Sequence, residues 1–237
     1  SLTAKIRAAA RIFAVKERPR FDPLIVHIAE ADQLGDIAAA LPAAARTLAD
    51  AHWPGPLTLV LPKRDVIPDI VTAGLATVAV RLPAHPVARQ LIRAAGRPIA
   101  APSANPFGYV SPTRAEHVAA QLGARVPLIL DGGPCEVGIE STIVSFASDE
   151  PTLLRHGAVT QETLEAEIGA LRVATTVVPT AADPILAPGQ LPRHYSPAAP
   201  LSIVGSPRDV APAQRRGAAL LSCAPVADVS GFAAVRI

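Results

Sequence analysis

Short β-rich apolar runs alternate with Ala-rich stretches of helical length along this chain, and that alternation narrows its possible folds more than any other feature. The runs PLIVHI (23–28), LTLVLP (57–62), TVAVRLP (77–83), PIAAP (98–102), PLILDGG (127–133) and STIVSF (141–146) read as strands. Residues 2–15, 41–52, 86–95, 113–122 and 160–170 read as the helices between them. Thr113 with Glu116 three residues on forms a capping box, and Thr160 is placed to cap the helix that follows it. The pattern predicts an α/β domain. With 50% hydrophobic and 18% charged residues, a chain of 237 residues can bury a full core and have some length over for a smaller unit.

The alternation fails over 174–198, a Pro- and Ala-rich stretch with neither helical nor strand period, which reads as a linker. After it LSIVG (201–205), an Arg-containing helical stretch and GAALLSC (217–223) read as the opening strand, helix and strand of a second α/β unit. The organisation expected is a first domain over 1–173, a linker over 174–198 and the start or a fragment of a C-terminal domain over 199–237. The chain has no methionine and enters its first helix without a preceding strand, which predicts that its natural beginning lies before residue 1.

A formal charge of +2 makes the surface only mildly basic, which argues against a dedicated nucleic-acid coat. The cations are nearly all arginine, the lysines being Lys5, Lys16 and Lys63, as a compositional bias toward Ala, Arg and Pro would produce. Cys135 and Cys223 stand far apart, which argues for a reducing cytoplasm and against a disulfide framework or zinc site. No apolar run reaches the roughly 18 to 20 residues that span a bilayer. Phosphate-loop, dinucleotide-fingerprint, zinc-protease and nucleophile-elbow signatures are all missing.

The chain does carry polar residues where strands end. Lys16, Arg18 and Arg20 in KERPR complement the negative end of the first helix, or Lys16 and Arg18 clamp phosphate oxygens, the arginine as a planar fork and the lysine as a point charge. His27 alternates with its apolar neighbours and, taken alone, reads as a satisfied core histidine. Arg81 ends an otherwise buried run and needs an anionic partner, either a structural carboxylate or a ligand's. PIAAP, read as a buried parallel strand, either delivers Ser103, Asn105, Ser111 and Thr113 to the carboxyl edge of the sheet, where open α/β sheets hold ligands, or opens an ordinary strand–loop–helix connection with a good cap. DGGPCEVGIESTI (131–143) is a Gly-containing loop with Glu140, Ser141 and Thr142 at the mouth of a strand, and TLLRHG ends another strand on Arg155. Together these loops describe one crevice for an anionic, polar substrate.

In order, KERP, DPLIVHI, WPGPLTLVLP, AGLATVAVRLPAHP, PIAAPSAN, SPT, DGG, GIESTIV, LLRHG and PGQLPRHYSP resemble the L-threonylcarbamoyladenylate synthase family, the YrdC-like proteins, in its long form with an added C-terminal domain. The likeness runs from about residue 2 to 198. It implies a twisted open mixed sheet with flanking helices around a concave basic cavity, then a linker and a smaller Rossmann-like α/β domain. It implies an enzyme that condenses L-threonine, bicarbonate or CO2 and ATP into threonylcarbamoyl-AMP and pyrophosphate. The product would feed N6-threonylcarbamoyladenosine formation on tRNAs reading codons that begin with A.

By this resemblance Lys16 and Arg18 are the K-x-R pair on the ATP phosphates, and Ser103 and Asn105 the S-x-N pair at the nucleotide, these four being the catalytic set. Asp22, Thr77, Ser111, Arg155 and Tyr195 would complete the ATP site, Tyr195 as a lid from the linker. His27, Arg81, Ala101 and Ser141 would line the threonine site. Mg2+ would arrive on ATP with no protein metal site. The partners implied are a downstream tRNA threonylcarbamoyl transferase machinery and weakly bound tRNA, with no membrane. Two departures stand out: Asp22 occupies a position where the family commonly has Asn, and the family's strand-loop PTETVYGLG would precede residue 1. Two other readings remain beside this one, an RNA-binding module without turnover and the carbamate-adenylating domain of a carbamoyltransferase. The carbamoyltransferases carry zinc-binding cysteine pairs that this chain lacks.

Overall fold

The computed structural model describes residues 2–174, 185–190 and 199–236. They divide into two compact units, Ser1–Ser196 and Pro197–Ile237, so the boundary falls near the end of the expected linker.

In the first unit the helix α1 (Leu2–Lys16) leads through the KERPR turn into β1 (Ile25–His27). A 3-10 turn (Ala31–Gln33), α2 (Leu34–Ile37) and α3 (Ala43–His52) then precede β2 (Leu57–Pro62). The one-turn α4 (Asp69–Thr72) enters β3 (Thr77–Arg81), and α5 (Pro86–Ala95) connects it to β4 (Ile99–Ala101). After α6 (Ala115–Leu122) come β5 (Thr142–Ser145), β6 (Thr152–Arg155), α7 (Gln161–Ile168) and β7 (Arg172–Val173). The strands form a seven-stranded mixed sheet in the order β4-β1-β3-β2-β5-β6-β7. Pairs β1–β3, β2–β5 and β6–β7 are parallel, and β1–β4, β2–β3 and β5–β6 antiparallel.

The two faces of this sheet do different work, as the two-residue period of a strand allows. One face buries Val26, Leu57, Leu59, Leu61, Val78, Val80 and Val144 against Phe13 of α1, Leu48 of α3 and Leu164 of α7, the main core. The opposite face carries a smaller apolar floor of Ile25, Val60, Ala79, Ile143 and Leu154. Register extends that face into a row of polar side chains, because His27 pairs with Arg81 across β1–β3 and Ile143 with Arg155 across β5–β6.

Three expectations for the first unit are corrected. PIAAP is not a buried parallel strand: β4 is an antiparallel edge strand, half-buried, with Ala101 opposite Ile25. Apolar content predicted a strand there but carries no information on direction, which the chain reversal after α5 sets. The run at 127–133 forms no strand, and Leu128 and Leu130 are exposed. That loop is held instead by Cys135 N–H donating to Thr113 O and by a His85–Gly132 O contact, so its hydrophobic residues have no sheet edge to join. The capping box at Thr113 does not form, because α6 starts after Arg114 and Thr113 meets His117 Nδ1. Thr160 does cap α7, accepting from Thr163 N–H.

In the second unit LSIVG makes no strand, and Leu201 and Ile203 are exposed. This unit pairs β8 (Ala219–Leu221) with β9 (Ala234–Arg236) in parallel, with a 3-10 turn (Pro207–Asp209) and α8 (Pro212–Arg215) before them.

Candidate active site

Reversal of β4 moves the site. Because Ala101 lies opposite the first residue of β1, the 102–111 loop sits beside the KERPR turn rather than at a carboxyl edge. A cavity of about 150 Å3 lies along the open face of the sheet, lined by Arg18, Ile25 and His27, by Arg81, by Ala101, Pro102 and Ser103, by Glu140, Ser141 and Arg155, and by Pro188. It runs from the start of β1 at Ala101 to its end at His27 and Arg81.

At one end the K-x-R pair organises the S-x-N loop. Lys16 Nζ donates to the carbonyl oxygens of Ser103 and Asn105, and Phe107 N–H donates back to Lys16 O at 2.8 Å. The ammonium is buried, and burial, followed by repulsion from Arg18, pulls it down to about 8. Arg18 donates from Nε to Asp22 O and from Nη2 to Pro23 O, and its Nη2 lies 2.8 Å from Asp22 Oδ1. Asp22 is fully buried, so desolvation pushes its carboxyl up to about 6 against the opposing pull of Arg18, Lys16 and Arg155. Asn105 is also buried, its amide donating to Pro106 O and Tyr109 O. Of this group Arg18 and Ser103 line the cavity; Lys16, Asp22 and Asn105 stand behind them.

At the other end Arg81 donates from Nε to Gly55 O at 3.0 Å, and burial lowers its pKa. His27 is held down to about 4, first by burial and then by Arg81, so it is neutral at physiological pH. Its Nδ1 is buried with no hydrogen-bond partner among the described residues. Arg155 clamps the mouth of β5, donating from Nε and Nη2 to Ser141 O, from Nη2 to Ser141 Oγ and from Nη1 to Pro188 O. Ser141 Oγ also shares a 2.8 Å hydrogen bond with Thr58 Oγ1.

Thus the structure gathers Arg18, His27, Arg81, Ala101, Ser103, Ser141 and Arg155 around one space. Ser111 reaches it indirectly, donating to Glu140 Oε1 at 2.6 Å. Thr77 shares the Arg81 face of β3 but begins the strand and is not among the lining residues. Tyr195 lies outside the described residues. Sequence reasoning placed Glu140 at the mouth of β5 without giving it a role, and missed Thr58 and Pro188. Thr58 carried a signal, a hydroxyl within an otherwise apolar strand; Pro188 opens the PGQLPRHYSP run of the family resemblance, but nothing in that run placed it beside the cavity.

The arrangement can hold a small molecule bearing an anionic group at Arg81 and present it to anionic oxygens at Arg18, with apolar side chains of the sheet between. Among the described residues no three His, Cys, Asp or Glu side chains converge as a metal site, and no helix is long and apolar enough to cross a membrane.

The Sua5/YciO/YrdC family model, described as "Telomere recombination", matches residues 2–157. A second model, "Threonylcarbamoyl-AMP synthase, C-terminal domain", matches residues 159–229. The chain is 50% identical over 205 residues to the Bacillus subtilis protein named threonylcarbamoyl-AMP synthase, covering 86% of this chain and 59% of the relative. It is 48% identical over 202 residues to the Pyrococcus abyssi protein of the same name, covering 85% and 59%. The crystal structure of P. abyssi Sua5 complexed with L-threonine superposes with a TM-score of 0.80 at 47% identity, covering 86% of this chain and 60% of that one. The chain therefore spans about 59% of the length of these curated relatives. Because the first model matches residues 2–157, more than half of its length, the chain belongs to the Sua5/YciO/YrdC family.

Proposed function

We propose that this chain carries the catalytic module of a cytoplasmic L-threonylcarbamoyladenylate synthase, which joins L-threonine, bicarbonate-derived CO2 and ATP. The observation that carries the reading is the single cavity with Arg81, His27 and Ser141 at one end and Arg18 and Ser103 at the other. Its volume is on the scale of cavities that hold one small organic molecule, so the amino acid would sit inside and the nucleotide would enter from the Arg18 side. Arg81 is the group for the threonine carboxylate, an anion met in a desolvated pocket by a guanidinium already fixed through Nε. Neutral His27 offers a ring nitrogen without adding a further positive charge.

No protein nucleophile is needed. The threonine ammonium gives up one proton to solvent, and the free amine adds to the carbon of CO2 and releases a second proton to solvent, giving a carbamate. A carbamate oxygen then attacks the α-phosphorus of ATP as the bond to the bridging oxygen breaks and pyrophosphate leaves. The protein's share is alignment of the two substrates and stabilisation of the charge that develops on the phosphates. Arg18 faces that charge, and Lys16 fixes the Ser103–Asn105 loop from behind while adding its own field. Asp22 keeps the Arg18 guanidinium in place. Magnesium is assigned to the ATP phosphates rather than to protein carboxylates, and the product to a downstream transferase acting on tRNA.

The test is pyrophosphate release from ATP, Mg2+ and bicarbonate with and without L-threonine. Release should depend on threonine, and Arg81→Ala should lower kcat/KM for threonine by roughly 100-fold, the worth of a buried charge-assisted contact. Threonine-independent release, or normal threonine dependence in Arg81→Ala, overturns the reading.

A further inference from the structure

An α-amino acid brings to this cavity a carboxylate that its charges attract and an ammonium that they repel. Arg18, Arg81 and Arg155 all line the space, and Lys16 stands just behind Ser103. An ammonium placed among these groups without a counter-charge would lose its hydration and gain only repulsion. Among the described residues lining the cavity, Glu140 is the one acidic side chain.

Glu140 is also well held for such a task. Its Oε1 accepts from Ser111 Oγ at 2.6 Å, and Oε2 lies 3.7 Å from Arg155 Nη2. A carboxylate can accept about four hydrogen bonds, so these two contacts leave it acceptor capacity. Its position is fixed by the backbone around it as well, because Gly157 approaches the Glu140 carbonyl so closely that a Cβ there would stand 2.4 Å from it.

We propose that Glu140 is the specificity-determining group that receives the ammonium of the amino-acid substrate, while Arg81 takes the carboxylate. Two charged side chains in one cavity thereby read both ends of an α-amino acid. The assignment rests on the cavity being the threonine site proposed above. It makes the ammonium a required feature, since a hydroxy acid of the same shape would keep the Arg81 contact and bring nothing to Glu140.

The experiment is calorimetric titration of the full chain with L-threonine and with 3-hydroxybutanoate, which keeps the carboxylate and the hydroxyl but lacks the ammonium. L-Threonine should bind at least tenfold more tightly, and Glu140→Gln should weaken it by about 10- to 100-fold while leaving 3-hydroxybutanoate unchanged or slightly improved. Comparison of the two ligands on the unaltered protein needs no substitution, so the assignment stays testable if Glu140→Gln folds poorly. Equal affinity for the two ligands, or L-threonine affinity retained in Glu140→Gln, removes the Glu140 assignment and leaves the threonine site standing. Absence of L-threonine binding to the unaltered chain removes the site itself, and the assignment with it.

Discussion

Lys16 shows how one side chain can serve architecture and electrostatics together. Its ammonium is buried against the carbonyls of Ser103 and Asn105, and that burial depresses it from 10.5 to about 8. A lysine with a lowered folded pKa resists charging in the native state. Stability therefore rises with pH between about 8 and 10.5, and below 8 the charged form costs the fold on the order of 3 kcal/mol. That cost places a positive charge behind the proposed phosphate site. An incoming triphosphate reverses the balance, because a neighbouring anion favours the protonated amine. We expect a non-hydrolysable ATP analogue to take up about half a proton on binding at pH 8, seen as buffer-dependent heat in calorimetry. Its affinity should fall progressively above pH 8. Neither effect should survive in Lys16→Gln, and proton uptake persisting there would place the titration on another group. Asp22 titrates well below this window, at about 6, and so does not confuse the result.

At the scale of elements, the site depends on how tightly the β6 turn packs on the mouth of β5. A Cβ at Gly157 would lie 2.4 Å from Glu140 O and Thr142 N and 2.5 Å from Ser141 C, all backbone atoms with no freedom to yield. Gly157→Ala must push the turn away, carrying Arg155 off Ser141 and loosening Glu140. The expected result is a loss of roughly 1–3 kcal/mol in stability, together with at least a tenfold rise in the KM for threonine. A variant with wild-type melting and KM would show that the turn can adjust. These relations were only partly legible in the sequence. The apolar runs located β2, β3 and β5 closely because those strands are buried on both sides, and Arg81 stood out because a charge ended such a run. Direction and pairing were not legible. PIAAP reads the same whether parallel or antiparallel, and PLILDGG has strand composition, but only a neighbouring edge makes a strand. The positions of Glu140 and Ser111 in space follow from that reversal, so their 2.6 Å contact could not be read from residues 29 apart in sequence.

Across the whole molecule, stability is distributed unevenly between the two units. The first rests on a broad apolar core on one face of its sheet. The second, over Pro197–Ile237, has a two-stranded sheet and little buried apolar surface, with Leu220 and Pro207 among the few buried groups. A unit of about 40 residues is expected to command only roughly 2–6 kcal/mol. Much of its order centres on a polar residue. Arg215 is buried, donates to Val210 O, Pro207 O and Ser230 O, and places its guanidinium 5.3 Å from the Phe232 ring centre. Asp228 Oδ1 lies 3.5 Å away and supplies a counter-charge. Removing this side chain would strand three carbonyls and a half-buried ring at once, a loss on the order of 3 kcal/mol, which is comparable to everything the unit has. Arg215→Ala should therefore abolish amide hydrogen-exchange protection over residues 207–236, while the amides of β2, β3 and β5 keep theirs. Arg215→Lys should rescue little, since an ammonium cannot span three carbonyls and stack on a ring as a guanidinium does. Retained protection over 207–236 in Arg215→Ala would mean that the strand pair, not the arginine, holds this unit together.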